Sequence, residues 1–111
     1  MKSTLEILIG ARARIADPAH WIRFCFAANA QRAQVSVLSR NACSFCARGA
    51  IINTAGTDVF SEPVNIAENT LTKWLLTNGH GPCIGMYNDS HTHAEVLAMF
   101  DGAIETLRIE S

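Results

Sequence analysis

The feature that most constrains the fold is the helical spacing of apolar residues near the end of the chain. Over residues 93–108, apolar side chains recur every three or four positions, as on one face of an α-helix. Thr92 and Glu95 have the spacing of a capping box, which would fix the start of this helix. A helix that is apolar along one side must pack on other elements, so a layered helical domain is expected. The apolar positions are Val96, Leu97, Phe100, Ala103, Ile104 and Leu107.

Three further helices are predicted from periodicity and from their boundary residues. Asp17-Pro18 ends the first, because the residue before a proline avoids the helical conformation. Ser39 is a good N-cap for the second. Ser61 would cap the third, which ends at Asn78-Gly79, a typical helix C-terminus. The predicted helices cover residues 4–16, 40–54 and 62–78.

Residues 23–38, between the first two helices, alternate weakly between apolar and polar side chains and contain a turn signal at Asn29. A short β-hairpin is predicted there. A length of 111 residues fits a single domain over residues 1–111. The predicted fold class is therefore mainly α: a small bundle of four helices with a short β-hairpin between helices 1 and 2.

Composition and charge exclude several classes of protein. Hydrophobic residues make up 49% of the chain, which is enough for a core and argues against disorder. The net charge is −1 with no basic run, so nucleic acid is disfavoured as a partner. No stretch reaches the roughly 18 apolar residues of a membrane span, and the N-terminus lacks the apolar region of a signal peptide. A cytoplasmic location with four reduced cysteines is therefore expected.

His93 lies at the centre of the apolar arc of the last helix, and it is predicted to be buried facing Cys46. Because an unpaired buried polar group costs about 1 to 3 kcal/mol, a structural histidine bonded to the protein is the favoured interpretation. Two alternatives stay open. Cys43 and Cys46 with His91 and His93 are ligand types that suit zinc, and Cys46 could be a nucleophile with His93 as its base.

Both alternatives are weakened by the predicted position of the cysteines inside the second helix. A cysteine there commonly serves as a small apolar core residue, and a helix interior does not activate a thiol. No metal or cofactor is therefore predicted, and enzymatic activity is disfavoured.

Several polar side chains suggest a pocket. Asp89 is predicted to accept hydrogen bonds from backbone N–H groups at the start of the last helix. Arg12 lies on the apolar arc of the first helix and would need an acceptor, Asp89 or Asp101. If they converged, these side chains would suit a small anionic or polar ligand. The candidate pocket residues are Arg12, Cys46, Asn88, Asp89 and His93.

Trp21, the run CARGA at 46–50, Asn88-Asp89 and the run THAEVLAMFDGAI at 92–104 occur in that order along the chain. This pattern resembles a family of small uncharacterised bacterial and phage proteins. The resemblance implies no reaction, but it singles out Cys46, Asn88, Asp89 and His93. A phage or prophage setting would imply an accessory role.

Three functions remain open at this point. The first is a small cytosolic binding or accessory protein, phage- or prophage-related, with a polar pocket around His93. The second is a small-molecule or zinc-binding protein with enzymatic activity through Cys46 and His93. The third is a phage-encoded inhibitor that acts through a protein–protein surface. The expected partner is another protein or a second copy in a homodimer, with no membrane involved.

Overall fold

The computed structural model describes residues 2–110, and 59% of them are helical. The predicted class, mainly α with a small hairpin between helices 1 and 2, is confirmed. The described residues form five α-helices where four were predicted, and the additional helix is short. The elements are α1 (Thr4–Arg14), a 3₁₀ turn (Pro18–His20), β1 (Ala27–Ala28), β2 (Ser44–Phe45), α2 (Ala47–Ala55), α3 (Glu62–Thr77), α4 (Ile84–Ser90) and α5 (His93–Glu110).

Local capping residues fix the starts of two of the long helices. At α5 the predicted capping box is present, with Thr92 N–H donating to Glu95 Oε1 at 2.8 Å and Glu95 N–H donating to Thr92 Oγ1 at 3.1 Å. Ser3 and Glu6 form the same arrangement at α1. Ser61 occupies the N-cap position of α3 as predicted, but its hydroxyl makes no capping hydrogen bond. The sequence therefore located three helix starts, and at α5 it also identified the capping hydrogen bonds.

The second helix begins later than predicted, at Ala47 and not at Arg40. The backbone N–H groups of Cys43 and Cys46 donate to the carbonyls of Ala28 and Phe26, at 2.9 and 3.3 Å. Because these N–H groups bond to β1 and to the residue just before it, they cannot form the hydrogen bonds of a helix. Ser39 consequently lies in a turn and caps nothing in α2.

The predicted turn at Asn29 is present, because Asn29 Oδ1 accepts hydrogen bonds from the N–H groups of Gln31 and Ala33, both at 3.0 Å. After this turn, Gln34 forms an isolated antiparallel bridge with Ala28. The regular partner of β1 is β2, with Ala28 opposite Ser44. The hairpin therefore reaches beyond the predicted residues 23–38, into a segment that was assigned to a helix.

The core lies between α1, α2, α3 and α5, where apolar side chains form one buried cluster. Two glycines set close approaches at its edges. A Cβ on Gly102 of α5 would lie 1.9 Å from Trp74 Nε1, and a Cβ on Gly49 of α2 would lie 1.9 Å from the carbonyl oxygen of Phe26. None of the helices between residues 2 and 110 is both long and apolar enough to cross a membrane. The largest fully buried side chains of this cluster include Leu8, Ile51, Leu71, Leu75, Met99 and Phe100.

Candidate functional site

The short helix α4 carries Asn88 and Asp89, the two residues that organise the site. The helix spans Ile84–Ser90 and starts at Cys83, whose sulfur accepts from the backbone N–H of Met86. Isolated helices of this length are not stable in water, so the packing of Ile84 and Tyr87 into the core must support it. Asn88 and Asp89 are thereby placed against the loop that follows α1.

Asn88 is 0% exposed, and its amide is fully hydrogen-bonded. Its Oδ1 accepts from Trp21 Nε1–H at 2.8 Å and from the backbone N–H of Ala47 at 3.0 Å. Its Nδ2 donates to the carbonyl of Ile22 at 3.1 Å and to Asp89 Oδ1 at 3.0 Å. A buried side chain that satisfies this many partners specifies one arrangement of the surrounding backbone. Asn88 therefore joins α4, the start of α2 and the loop from Trp21.

Asp89 Oδ1 accepts from the backbone N–H of Phe24 at 2.9 Å, in addition to the amide of Asn88. The prediction that Asp89 caps the last helix is therefore wrong, and Thr92 has that role. The reason is that Asp89 lies inside α4, a separate helix that ends before α5 starts. The carboxylate instead fixes the backbone of the loop.

Phe24 is the most unusual residue of this loop. Its backbone has a φ of 72°, in the left-handed region that only glycine adopts freely, and its side chain is 81% exposed. Arg32, with a φ of 66°, is the only other non-glycine residue with positive φ in the described chain. Non-glycine residues in such conformations are concentrated at binding and active sites. Both of them line the same groove.

That groove, here called the basic groove, has a volume of about 530 Å³. Its lining includes Trp21, Arg23, Phe24, Arg32 and His93. The guanidinium of Arg23 lies 4.8 Å from the centre of the Trp21 ring and donates to the carbonyl of His91. The predicted pocket at His93 is therefore a cleft whose ionisable side chains are basic, apart from a thiol.

The sequence predicts that His93 is buried and faces Cys46. In the structure His93 is only half-buried, and it does not face Cys46. Its Nε2 lies 2.6 Å from the carbonyl oxygen of Ile15, and its ring packs at 5.4 Å on Trp21. Because a carbonyl only accepts, Nε2 carries the hydrogen and donates it. The first residue of α5 therefore points toward the end of α1 and not toward α2. The expected bond to the protein is present.

A second groove lies on the other side of the loop, with a volume of about 330 Å³, and is here called the thiol groove. It is lined by Phe24, Phe26, Cys46, Arg48 and Asp89, among others. The side chain of Arg48 is bound to Glu68 at 2.6 Å, and that hydrogen bond raises the pKa of the guanidinium. Of the five candidate pocket residues, Cys46 and Asp89 meet here, with Asn88 buried beneath them.

Arg12 lies outside both grooves. It forms a two-pronged ion pair with Asp101, with Arg12 Nε 2.6 Å from Oδ1 and Nη2 3.3 Å from Oδ2. Asp101 is one of the two acceptors predicted for it. Since Asp101 follows His93 by eight residues, the pair sits about 12 Å further along α5. The predicted convergence of Arg12 with the other four residues is therefore wrong.

Cys46 is buried and occupies the N-cap of α2, where its sulfur accepts from the backbone N–H of Gly49 at 3.3 Å. Burial raises the pKa of the Cys46 thiol, so the thiol is not activated as a nucleophile. Cys46 and His93 line different grooves, so they do not form a nucleophile–base pair. For the zinc alternative, the ring of His91 stacks on Tyr87 at 3.8 Å, and its Nδ1 lies 3.0 Å from the carbonyl oxygen of Tyr87. Within residues 2–110, no three His, Cys, Asp or Glu side chains are grouped to hold a metal.

Arg23, Phe24 and Arg32 were missed in the sequence. The turn at Asn29 is the one local signal, because it implies a left-handed residue nearby. Nothing in the sequence around Phe24 predicts its backbone conformation, since Asp89, which holds it, is 65 residues away.

The fold and this surface define a small, mainly helical domain in which a loop bonded to Asn88 and Asp89 lies between two grooves. The chain belongs to a family of unknown function, DUF6197, whose profile covers residues 1–106. No curated protein and no solved structure matches the chain.

Proposed function

We propose that this protein is a small binding module whose recognition surface is the segment Ile22–Phe26, here called the display loop, together with the basic groove. It acts by binding and not by catalysis. The observation that carries the proposal is Phe24, an aromatic residue that is both strained in its backbone and exposed at its ring.

The physical argument rests on the cost of this arrangement. A left-handed backbone costs a non-glycine residue about 1 to 2 kcal/mol, and exposing a phenyl ring forgoes its burial. The Asp89 carboxylate and the Asn88 amide hold the segment in place from below. A loop that is ordered before it meets its ligand loses little conformational entropy on binding. This is the arrangement expected of a recognition surface.

Catalysis has less support, because Cys46 is a buried thiol with a raised pKa and His93 lies in the other groove. The four cysteines are free thiols, which supports a reducing compartment such as the cytosol as part of the proposal. A phage- or prophage-related accessory role is part of the proposed binding function. A phage-encoded inhibitor would use the same exposed Phe24 against a protein.

The proposal is tested by nuclear magnetic resonance with a library of neutral and charged aromatic fragments. We expect fragments to shift the amide signals of residues 22–26 first, and Phe24→Asn to abolish this binding, since Asn tolerates a left-handed backbone. The matched control is Phe60→Asn, because Phe60 is 84% exposed but lies in another loop. Fragments that bind elsewhere, or equally to both variants, would contradict the proposal.

Native mass spectrometry of the purified protein separates the alternatives. A stoichiometric bound zinc would favour the metal-binding alternative. A dimer or a bound protein would favour the protein–protein surface. Bound small molecules that are lost in Phe24→Asn would favour the proposed module.

A further inference from the structure

We propose that the basic groove binds a small organic oxyanion, with the guanidinium groups of Arg23 and Arg32 on the anionic group and the Phe24 ring on the organic part. The shared chemistry is that of a phosphate monoester or a carboxylate. The inference rests on the proposed binding function, and it names the class of ligand.

Charge is the first support. The two arginines of the groove form no ion pair, whereas three other cations of the described chain each have a carboxylate partner. No Asp or Glu lines the basic groove. Asp17, the acid nearest in sequence, already accepts from Ala19 N–H, and Asp89, which contacts the loop in space, accepts from Phe24 N–H. In a chain of net charge −1, this is a local excess of unpaired positive charge. The paired cations are Arg12, Arg48 and Lys73.

The orientation of Arg23 is the second support. Its guanidinium is stacked over Trp21, and one of its nitrogens donates to the carbonyl of His91. These two contacts hold the planar group in one orientation. Its remaining N–H groups have no hydrogen-bond partner between residues 2 and 110. A fixed guanidinium with free N–H groups matches the two-oxygen geometry of carboxylates and phosphates.

The backbone of Arg32 is the third support. The side chain of Asn29 accepts from Gln31 N–H and Ala33 N–H, and Arg32 N–H donates to the carbonyl of Asn29. This turn forces Arg32 into the left-handed region and leaves its side chain exposed at the groove. The two strained residues of the described chain, Arg32 and Phe24, thus reach the groove from different segments. Independent strain at one site supports a shared binding role.

The volume of the groove indicates the size of the ligand. A volume of about 530 Å³ falls within the range of about 300 to 1,000 Å³ that is typical of small-molecule sites. The groove is therefore large enough for an anionic group together with a ring. The ring of Trp21 is already in contact with Arg23 and His93. The exposed ring of Phe24 is therefore the aromatic surface that is available to the organic part of the ligand.

The test uses three compounds of similar size: phenyl phosphate, benzoate and neutral benzyl alcohol. Each is titrated into the full-length protein and followed by isothermal calorimetry and by amide chemical shifts. We expect at least one anion to bind about ten-fold or more tightly than benzyl alcohol, with shifts at residues 21–25, 32 and 93. Added salt should weaken this binding. Stronger binding of phenyl phosphate would assign the ligand as a phosphate monoester, and stronger binding of benzoate would assign it as a carboxylate.

The matched variants are Arg32→Gln and Arg40→Gln. Both arginines are exposed, but Arg40 lies outside the groove. Arg32→Gln should weaken anion binding about ten-fold, as expected for a lost charge-assisted hydrogen bond, and Arg40→Gln should leave it unchanged. Circular dichroism checks that both variants are folded.

Equal effects of the two variants, or equal binding of benzyl alcohol and the anions, would overturn the inference. So would the absence of anion binding. If benzyl alcohol alone binds and Phe24→Asn removes that binding, the oxyanion inference fails while the proposed binding function stands. If fragments bind away from the display loop, the proposed function fails first.

Discussion

The two layers of this molecule are stabilised in different ways. In the helical layer, formed by α1, α2, α3 and α5, apolar side chains from all four helices form one buried cluster. In the loop layer, formed by residues 17–45 and α4, a single buried amide, Asn88, connects three separate segments. Apolar packing is shared among many contacts and tolerates volume-conserving changes. A hydrogen-bonded amide has no apolar substitute, so the connection between these three segments depends on one residue.

The largest expected effect comes from Asn88→Leu, which keeps the number and branching of the side-chain heavy atoms but removes all four hydrogen bonds. Trp21 Nε1–H, the N–H of Ala47 and the carbonyl of Ile22 would lose their partner. Since each unpaired buried group costs about 1 to 3 kcal/mol, the free energy of unfolding should fall by about 3 to 5 kcal/mol. Urea denaturation measures it.

The control is Leu75→Met in the helical layer, where Leu75 is fully buried. This change should cost less than about 1.5 kcal/mol. If the two substitutions cost the same, the contrast between the layers would be wrong.

Gly49→Ala should have the next largest effect, because Gly49 lies where the layers meet. The added Cβ would fall 1.9 Å from the carbonyl oxygen of Phe26, a backbone atom that cannot move alone. A loss of about 1 to 3 kcal/mol is expected, as for other overpacked sites. Gly85→Ala in α4 is the control, since its nearest neighbour would be 4.0 Å away. Thermal or chemical unfolding of both variants is the measurement, and a neutral Gly49→Ala would show that the layers can separate freely.

Phe24→Asn should change stability in the opposite direction. Asn accepts a left-handed backbone more readily than Phe, so the variant should be more stable by up to about 1 kcal/mol. The hydrogen bond from the residue 24 backbone to Asp89 is retained. A gain in stability together with the loss of fragment binding would mark Phe24 as a functional residue. A clear loss of stability would show that its ring contributes to the fold.

Glu95→Gln should have the smallest effect, and its size depends on pH. The backbone N–H of Thr92, followed by the side chain of Thr92, lowers the pKa of Glu95 below its usual 4.5. A carboxylate with a lowered pKa stabilises the fold above the unfolded-state pKa, and this contribution is lost as the pH falls through the folded-state pKa. The parent should therefore melt above the variant at neutral pH, and the difference should shrink below about pH 4.5. A difference that is constant with pH would exclude a role for the charge.

The two layers also differ in how far the sequence predicted them. The start of α5 followed from Thr92 and Glu95, which are three residues apart, and its apolar face followed from periodicity. The beginning of α2 was misplaced because its flanking N–H groups bond to β1, which precedes it by more than a dozen residues. The role of Asn88 could not be inferred, since its partners are 41, 66 and 67 residues away. Local hydrogen bonds leave a sequence pattern, whereas long-range ones leave none.

The candidate site shows the same division. The sequence singled out Asn88, Asp89 and His93, and in the structure they contact Ile22, Phe24 and Trp21 respectively. Their part in ligand binding stays a prediction, and the sequence could not place beside them the segments that they contact. Arg23 and Phe24 were missed for the same reason.

The most direct test of the central claim is amide hydrogen exchange of the display loop in Asp89→Ala. The matched control is Asp58→Ala, because Asp58 accepts from Phe60 N–H at 2.8 Å, as Asp89 accepts from Phe24 N–H at 2.9 Å. We expect exchange at residues 22–26 to rise about ten-fold or more in Asp89→Ala, the loss expected for one charge-assisted bond, while α1, α3 and α5 stay protected. Asp58→Ala should leave residues 22–26 unchanged. Unchanged protection of Phe24 N–H in Asp89→Ala would contradict the claim that α4 holds the loop in its conformation.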